Sequence, residues 1–445
     1  MGHFVPHTEA EIAAMLADLG LSSVDDLFSV VPEALRLAGG LDLAPGMSEP
    51  DVLERVAGVA SANRPVGREL VCFAGAGAYD HDRPSVVGRV AFRSEFVTAY
   101  TPYQPEVAQG VLQALFEYQT VLGRLFGMEV ANASLYDGAS ACVEAANLAV
   151  AATERPVVWV SRGVHPHWRQ VMATYAAGTG HELVDVPLLD GTTGWPAEDQ
   201  AAPPAALLVQ QPNYLGCIED LDTAAAAARR AGALLLVAAD PVSAGLLRPP
   251  GESGADVVVG EGQPFGTPLS FGGPYLGLFA CRQEHVRRLP GRLVGETVDA
   301  DGRRAYVTTL RTREQDIRRE KASSNVCTNE TLIAVAFVVH LAWLGTAGLR
   351  ELALRCARGT RYAREALLAI EGVEPAAPAA VVREFGVRLP LPADTVVERM
   401  AEDGFLAGVP LGDDYGGGLL VAVTERRTRT EIDAYAAALE KVVRS

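Results

Sequence analysis

The stretch VVVGEGQPFGTPLSFGGPYLG, Val257 to Gly277, ends an apolar run in a Gly-rich turn and leads into a second strand-like run, Tyr275 to Cys281. A turn at the end of a strand is a place from which a lysine amine could attack a carbonyl and hold it as an imine. Here the turn offers Gln263, an amide, and an amide forms no imine. Among 38 basic residues only Lys321 and Lys441 are lysines. Lys441 falls in a terminal helical segment and Lys321 in an Arg-rich polar segment, so neither follows a strand.

Other residues could meet a small anionic or aromatic ligand. YDGAS, Tyr136 to Ser140, puts Gly138, Ala139 and Ser140 at the start of a helical run, where free N–H groups and the helix dipole favour a phosphate. The same pattern is also an ordinary helix start built on Asp137. Asp240, in VAADP, ends an apolar run, the position from which a carboxylate could hold a pyridinium nitrogen. Equally, it is a turn-forming Asp before Pro241. GAGAYDHDRP carries Tyr79, Asp80 and His81 on a Gly-rich turn, where substrate contact and turn chemistry read alike. His165 and His167 lack a third ligand, too few for a catalytic zinc site.

The elements that must position these residues come from 445 residues, 49% hydrophobic and 21% charged, a globular composition with room for two or three domains. A net charge of -17 and a pI near 5.0 argue against binding nucleic acid or an anionic membrane, since both need a concentrated basic face. No stretch reaches the roughly 18 apolar residues of a membrane span, and MGHFVPHTEAEIAAML lacks the order of a signal peptide. The expectation is a cytoplasmic chain. Cys72, Cys142, Cys217, Cys281, Cys327 and Cys356 lie far apart with no C-x-x-C pair, which suggests neither a zinc site nor a disulfide framework.

Residues 1–65 carry helical periodicity with caps, as in TEAEIAAMLADLG and SSVDDLF, and read as a helical N-terminal arm. EVAQGVLQALFEYQTVLGRLFG keeps apolar residues at Val107, Val111, Leu115, Leu122 and Phe126, close to helical spacing. The short apolar runs PVVWVS, ALLVQQP, LLLVAADP, DVVVGEG and LGLFAC, with helical DLDTAAAAARRAG between two of them, imply a largely parallel sheet covered on both faces. An Arg-rich connector follows, GETVDADGRRAYVTTLRTREQDIRREKASSNVCTN, then a buried-type helix, ETLIAVAFVVHLAWLG. The tail alternates helix and strand as a small second α/β domain. The expected division is 1–65, 66–328 and 329–445. Ligands of open α/β sheets sit beyond the carboxyl ends of the strands, so the loops after the apolar runs are the place for a site.

Taken together and in order, FAGAGAYDHDRPSVV, TAYTPYQPEVAQG, EYQTVLGRLFGMEVANASLYDGA, VQQPNYLGCIEDL, GEGQPFGTPLSFGGPYLG and RREKASSNVCTN closely resemble the first subunit of two-subunit glycine decarboxylase, the P-protein of the glycine cleavage system. The resemblance covers nearly the whole chain. It implies the aspartate-aminotransferase-like (type I) fold of pyridoxal-phosphate-dependent enzymes: a large domain on a mainly parallel seven-stranded sheet and a small C-terminal α/β domain. The family's second subunit carries a His-Lys-Thr turn and a Pro-His-Gly-Gly-Gly-Gly stretch. Counting back from Pro268 and Gly272, Gly273 and Pro274 puts Gln263 where that lysine stands. The implied cofactor is therefore pyridoxal phosphate held on subunit 2, not covalently on this chain. The implied reaction is decarboxylation of glycine with transfer of the aminomethyl group to the lipoyl H-protein, in an assembly of two copies of each subunit.

Within this chain the resemblance makes Tyr100, Tyr103 and Gln104, in AYTPYQPE, candidates for the wall of a shared site. Pro102 and Pro105 stiffen the loop, and tyrosines present flat apolar faces with one hydroxyl. Packing of both rings at a domain edge is the plainer reading. Arg318, Arg319, Lys321, Ser324 and Asn325 could present cations and amides to phosphate or carboxylate, or pair with acids on an acidic surface. Gly138, Ala139, Ser140, Asp240 and Gln263 would be vestigial or shared parts of a cofactor site. Two other functions stay open at this stage: a scaffold or regulatory copy kept for its dimerisation surface, and a paralogue acting on another small amino acid.

Overall fold

A computed structural model of the chain describes residues 6–37, 41–196, 203–322 and 324–444. It divides into a unit that ends at Arg64 and one that begins at Pro65. In the first, α1 (Glu9–Asp18) starts at a capping box: the Thr8 side chain accepts from the Glu11 N–H while the Glu11 carboxylate takes the Thr8 N–H. A second helix, α2 (Glu49–Ala60), is capped by Ser48. Neither helix buries a residue within the unit. Leu19, Val30, Leu37 and Leu43 stand 63%, 88%, 72% and 74% exposed.

The second unit is built on a seven-stranded sheet. Its strands are β1 (Val130–Ala131), β2 (Val157–Ser161), β3 (Glu182–Val186), β4 (Ala206–Gln211), β5 (Leu234–Ala239), β6 (Val257–Glu261) and β7 (Gly277–Cys281). They lie in the order β1-β7-β6-β5-β4-β2-β3, with β2 to β6 parallel and β7 antiparallel to both neighbours. Side chains alternate between the two faces, as strand geometry requires. Trp159, Leu207, Val237 and Val258 enter one core; Val160, Leu208, Leu236 and Val259 enter the other. The helix α3 (Gln109–Phe126) covers the first face through Val111, Leu112, Leu115, Leu122 and Phe126, whereas Val107, read in the sequence as part of the same stripe, lies before the helix and is 82% exposed. The second face is covered by α4 (Gly138–Thr153) and α5 (Pro166–Thr179), and α6 (Leu221–Ala231) returns to the first. Burying each such Leu or Phe contributes roughly 1.5–3 kcal/mol.

The Arg-rich segment read as a plain connector contains a hairpin, β8 (Leu293–Val298) paired antiparallel with β9 (Arg304–Thr309). Its turn is built by Asp299, whose carboxylate accepts from the N–H groups of Asp301 and Arg303, with Gly302 at φ 78°. Two glutamines of α3 staple the hairpin down: Gln119 exchanges hydrogen bonds with both backbone groups of Val294, and Gln109 with both of Tyr306. The polar outer face of the hairpin masked this partly buried pairing.

The buried-type helix, α7, runs from Thr331 to Leu368 with a break at Gly345 (φ 58°, ψ -177°). Contrary to the expectation that no stretch reaches a membrane span, this helix is long and apolar enough to cross one, by length and composition. Here Ala334, Phe337, Val338 and Leu341 pack into the core that α3 shares. The tail forms a four-stranded antiparallel sheet of β10 (Glu374–Pro375), β11 (Glu384–Arg388), β12 (Val409–Pro410) and β13 (Leu419–Ala422), in the order β10-β11-β13-β12. Two helices, α8 (Ala393–Glu402) and α9 (Arg429–Arg444), cover it through Val396, Met400, Ile432 and Tyr435.

Candidate functional site

Beyond the carboxyl ends of β5 and β6 the chain gathers its buried charges. Asp240, directly after β5, accepts at one oxygen from Arg383 NH2 at 2.9 Å and at the other from the backbone N–H and hydroxyl of Ser243. Arg383 enters from the small sheet, immediately before β11, and is only 5% exposed. Its guanidinium lies 3.5 Å from the centre of the Tyr79 ring, a cation–π distance. Its NH1 faces His81 Nε2 at 2.8 Å. Arginine only donates, so the lone pair of His81 lies on Nε2 and its proton on Nδ1, 2.6 Å from Glu425 Oε2. Glu384 closes the set, accepting from the Ala76 N–H at 2.6 Å and the Tyr79 hydroxyl at 2.9 Å. Burial raises its carboxyl to about 7.

Gln263 is buried beside this cluster and every polar atom of its amide is used. Its Oε1 accepts from the Tyr79 N–H at 3.0 Å, and its Nε2 donates to the carbonyls of Tyr79 (3.1 Å) and Thr267 (3.0 Å). The helix start is occupied too. Gly138 N–H donates to Glu261 Oε2 at 3.0 Å, Ser140 N–H donates to Asp137 at 2.7 Å, and Ala139 lies between them, partly buried. Trp168 lies against the start of the helix: a Cβ on Gly138 would come within 2.4 Å of its ring. Trp168 stacks in turn on His165, whose Nε2 donates to the Ala76 carbonyl and whose Nδ1 accepts from the His167 N–H. Burial holds His165 down at about 4, so the ring is neutral and the HPH turn is a structural joint.

The pyridoxal phosphate implied by the resemblance does not fit these residues. The lysine position is an amide, the helix-start N–H groups of Gly138 and Ser140 are taken, and Asp240 already faces a cation. The space between Asp240, Tyr79, His165 and Trp168 amounts to about 40 Å³, room for on the order of three water molecules.

A second locus lies at the surface. Arg292, 4% exposed, donates from NH1 to Thr101 Oγ1 (3.3 Å) and Asn329 Oδ1 (3.2 Å), and from NH2 to the Tyr103 hydroxyl (3.2 Å) and the Cys327 carbonyl (2.9 Å). Its guanidinium also lies 5.1 Å from the centre of the Tyr103 ring. Asn329 continues the network to the Ala133 carbonyl and the Ser134 hydroxyl, and the Cys327 N–H donates to the Tyr136 hydroxyl. The loop of Tyr100 and Tyr103, the 327–329 segment and the start of the YDGAS turn thus meet on one buried cation. Tyr100 and Tyr103 themselves stand 79% and 45% exposed; the Tyr103 ring packs between Arg292 and Arg311, whose guanidinium lies 5.3 Å from its centre. Gln104 is also exposed, at the start of a short helical turn.

Arg318 and Lys321 lie on exposed short turns, Gln315–Arg318 and Arg319–Lys321, and their side chains have no hydrogen bond or ion pair among the described residues. Asn325 is exposed nearby, and none of the three joins the Arg292 network. Sequence reasoning passed over Arg292, Arg383, Glu261 and Asn329. The one local signal was a charge beside an apolar run, as in VVREFGVRLP.

The Glu425–His81 contact makes a pH prediction. Burial would raise the Glu425 carboxyl, but the hydrogen bonds from His81 and the Asp82 N–H outweigh it and hold the group at about 2, against an ordinary 4.5. A depressed acid stabilises the fold above its unfolded value and loses that contribution as the pH falls toward its folded value. Glu425→Gln is expected to melt below the wild type at pH 6–7, by about 2–3 kcal/mol, and the gap is expected to close as the pH falls from 4.5 toward 2. Thermal melts of both chains across that range check it; a gap independent of pH contradicts it.

Comparison with known proteins agrees over the whole chain. Residues 2–439 match the family model described as glycine cleavage system P-protein. A glycine dehydrogenase (decarboxylating) subunit 1 of Moorella thermoacetica is 49% identical over 445 residues, 99% of each chain. Its namesake in Chlorobaculum tepidum is 47% identical over 439 residues, covering 98% of this chain and 99% of the relative. The crystal structure of a glycine decarboxylase (P-protein) of the glycine cleavage system, in inhibitor-bound form, superposes with a TM-score of 0.92 at 45% identity, covering 99% of this chain and 100% of that one. An alanine–glyoxylate aminotransferase from Nostoc sp. (TM-score 0.60, 18% identity, 85% of this chain and 97% of that one) shares the fold alone.

Proposed function

The chain belongs to the family of glycine cleavage system P-proteins, and we propose that it serves as subunit 1 of a heteromeric glycine dehydrogenase (decarboxylating), lending its exposed tyrosine face to a site whose lysine stands on a second chain. One feature carries this reading: an aromatic side chain, Tyr103, left 45% exposed, yet held in place by a buried cation. Tyr103 Oη accepts from Arg292, so its own proton is free for an acceptor arriving from outside the chain, such as the carboxylate of glycine. Loss of that carboxylate as carbon dioxide discharges an anion. The pyridoxal phosphate of the reaction belongs to the lysine-bearing subunit, and the aminomethyl group passes to the lipoyl H-protein. On this reading the present chain positions and screens.

The N-terminal unit supports a partner chain. Its helices bury nothing of their own and expose a series of leucines and valines, a pattern of surface awaiting cover. An interface of more than about 2,000 Å², the range of obligate assemblies, is expected.

Reconstitution tests the proposal. This chain and its lysine-bearing partner are expected to coelute on size exclusion, with glycine–bicarbonate exchange present in the mixture and absent from this chain alone. Tyr100→Ala and Tyr103→Ala are each expected to lower the exchange while the complex stays intact. A partner equally active alone, or unaltered exchange in both variants, sinks the shared site and leaves a scaffold.

A further inference from the structure

A cofactor of this fold presents three handles to the protein: a pyridinium nitrogen, a phosphate and a carbonyl carbon held as an imine. In this chain each position at which such a handle would be met holds a side chain of the protein itself. At Asp240 the cation is the Arg383 guanidinium at 2.9 Å, held over the Tyr79 ring 3.5 Å from its centre. At the start of α4 the acceptor is the Glu261 carboxyl, which takes the Gly138 N–H and, through its other oxygen, the N–H groups of Gln263 and Leu276. At the lysine position the Gln263 amide bonds back to the Tyr79 backbone and across the turn to Thr267.

These contacts are not scattered. Asp240 and Glu261 stand at the carboxyl ends of neighbouring strands β5 and β6, whereas Arg383 and Glu384 come from the start of β11, an inner strand of the small sheet, and Glu425 from just beyond β13. The loop of Tyr79 and His81 lies between them, bonded to Gln263 on one side and to Arg383, Glu384 and Glu425 on the other. Where a bound cofactor would bridge the large sheet and the small one, a chain of side-chain contacts does so.

We propose that the cofactor cup of this subunit has been refilled group for group, Arg383 for the pyridinium, Glu261 for the phosphate and Gln263 for the lysine imine, and that the refilled cup locks the small sheet onto the large one. The lock has a chemical signature. Asp240 sits in a seat shaped for a planar cation, so removing Arg383 leaves a buried carboxylate that a small planar cation can satisfy. The inference concerns this chain alone and stands apart from what its tyrosine face does in an assembly.

The test uses the full chain, with melting temperature as the readout and pyridoxal phosphate and methylguanidinium as probes. Wild type is expected to show neither a shift in melting temperature nor saturable retention with pyridoxal phosphate in equilibrium dialysis. Arg383→Ala is expected to melt on the order of 5–10 °C lower and to recover part of that loss in millimolar methylguanidinium, which leaves wild type unchanged. The pair Asp240→Asn with Arg383→Met removes both charges at similar volume, and is expected to melt closer to wild type than Arg383→Ala and to ignore methylguanidinium. Should Arg383→Ala fail to fold while the double variant folds, the lock is supported. Saturable pyridoxal phosphate on the wild type, rescue of the double variant by the cation, or a double variant no better than the single overturns it.

Discussion

Arg292→Ala is expected to lower glycine–bicarbonate exchange by the assembled enzyme on the order of a hundredfold, because it frees the loop that presents Tyr103. This one guanidinium donates four hydrogen bonds, to Thr101, Tyr103, Cys327 and Asn329. All four acceptors are neutral, and no carboxylate lies within ion-pair distance of Arg292 among the described residues. Its hydrogen bonds thus go to neutral groups at the edge of an exposed aromatic face, while its charge also favours the ionised form of the nearby Glu314 carboxyl. Without it the 101–103 loop and the 327–329 segment lose their common anchor, and misplacement by an ångström is enough to cost about a hundredfold in rate. Stability falls as well, by about 1–3 kcal/mol, since the Cys327 carbonyl and the Asn329 amide lose a donor. Arg292→Lys keeps the charge but not the fork, so an intermediate loss is expected.

A double-variant comparison separates positioning from general weakening. If Arg292 acts through the Tyr103 hydroxyl, Tyr103→Phe added to Arg292→Ala is expected to lower kcat little further, so that the two effects do not sum. Additive losses, or normal kcat with a low melting temperature, would reduce Arg292 to a structural residue.

The contrast between what the sequence showed and what it concealed follows from the range of the interactions. The runs that became β2, β4, β5, β6 and β7 were legible because both faces of these strands are buried, and a strand buried on both faces has to be apolar throughout. The edge strand β3, ELVDV, buries only Val186 and shows no such run. Gln263 could be read as a missing amine, because imine chemistry requires one atom type at one place. What its amide does depends on Tyr79, far away in the chain, and no local pattern announces that partner. Arg383 is the sharper case: it stands in VVREFGVRLP like an exposed strand charge, and becomes buried only because Asp240 meets it from the other sheet. The Arg-rich RREKASSN segment looked the more promising cationic site, yet its Arg318 and Lys321 are exposed while the ordered cation, Arg292, lies in a stretch with no motif.

Restoring the amine by Gln263→Lys is expected to destabilise the chain by about 2–4 kcal/mol without creating a pyridoxal-phosphate enzyme. The amide both accepts and donates: it takes the Tyr79 N–H and gives to the carbonyls of Tyr79 and Thr267. An ammonium can replace the two donated bonds but accepts none. The Tyr79 N–H is then left without its partner in the interior, at a cost of about 1–3 kcal/mol. The new charge adds a desolvation penalty, because the position is 1% exposed, which pushes the amine toward its neutral form. A neutral amine is a nucleophile, so imine formation is not barred by pKa. It is barred by space and by handles. The ring would have to displace Arg383 from Asp240 and from Tyr79, and the phosphate would have to displace Glu261 from the Gly138 N–H. Incubation with pyridoxal phosphate followed by borohydride is therefore expected to leave position 263 unmodified by peptide mass spectrometry, with no visible aldimine band, in a chain that melts measurably lower. Adding Arg383→Ala to Gln263→Lys removes the larger of the two obstructions, so any adduct should appear there first. A stable, reducible adduct at position 263 in the single variant would show that the cup is merely empty, and that only the lysine had been lost.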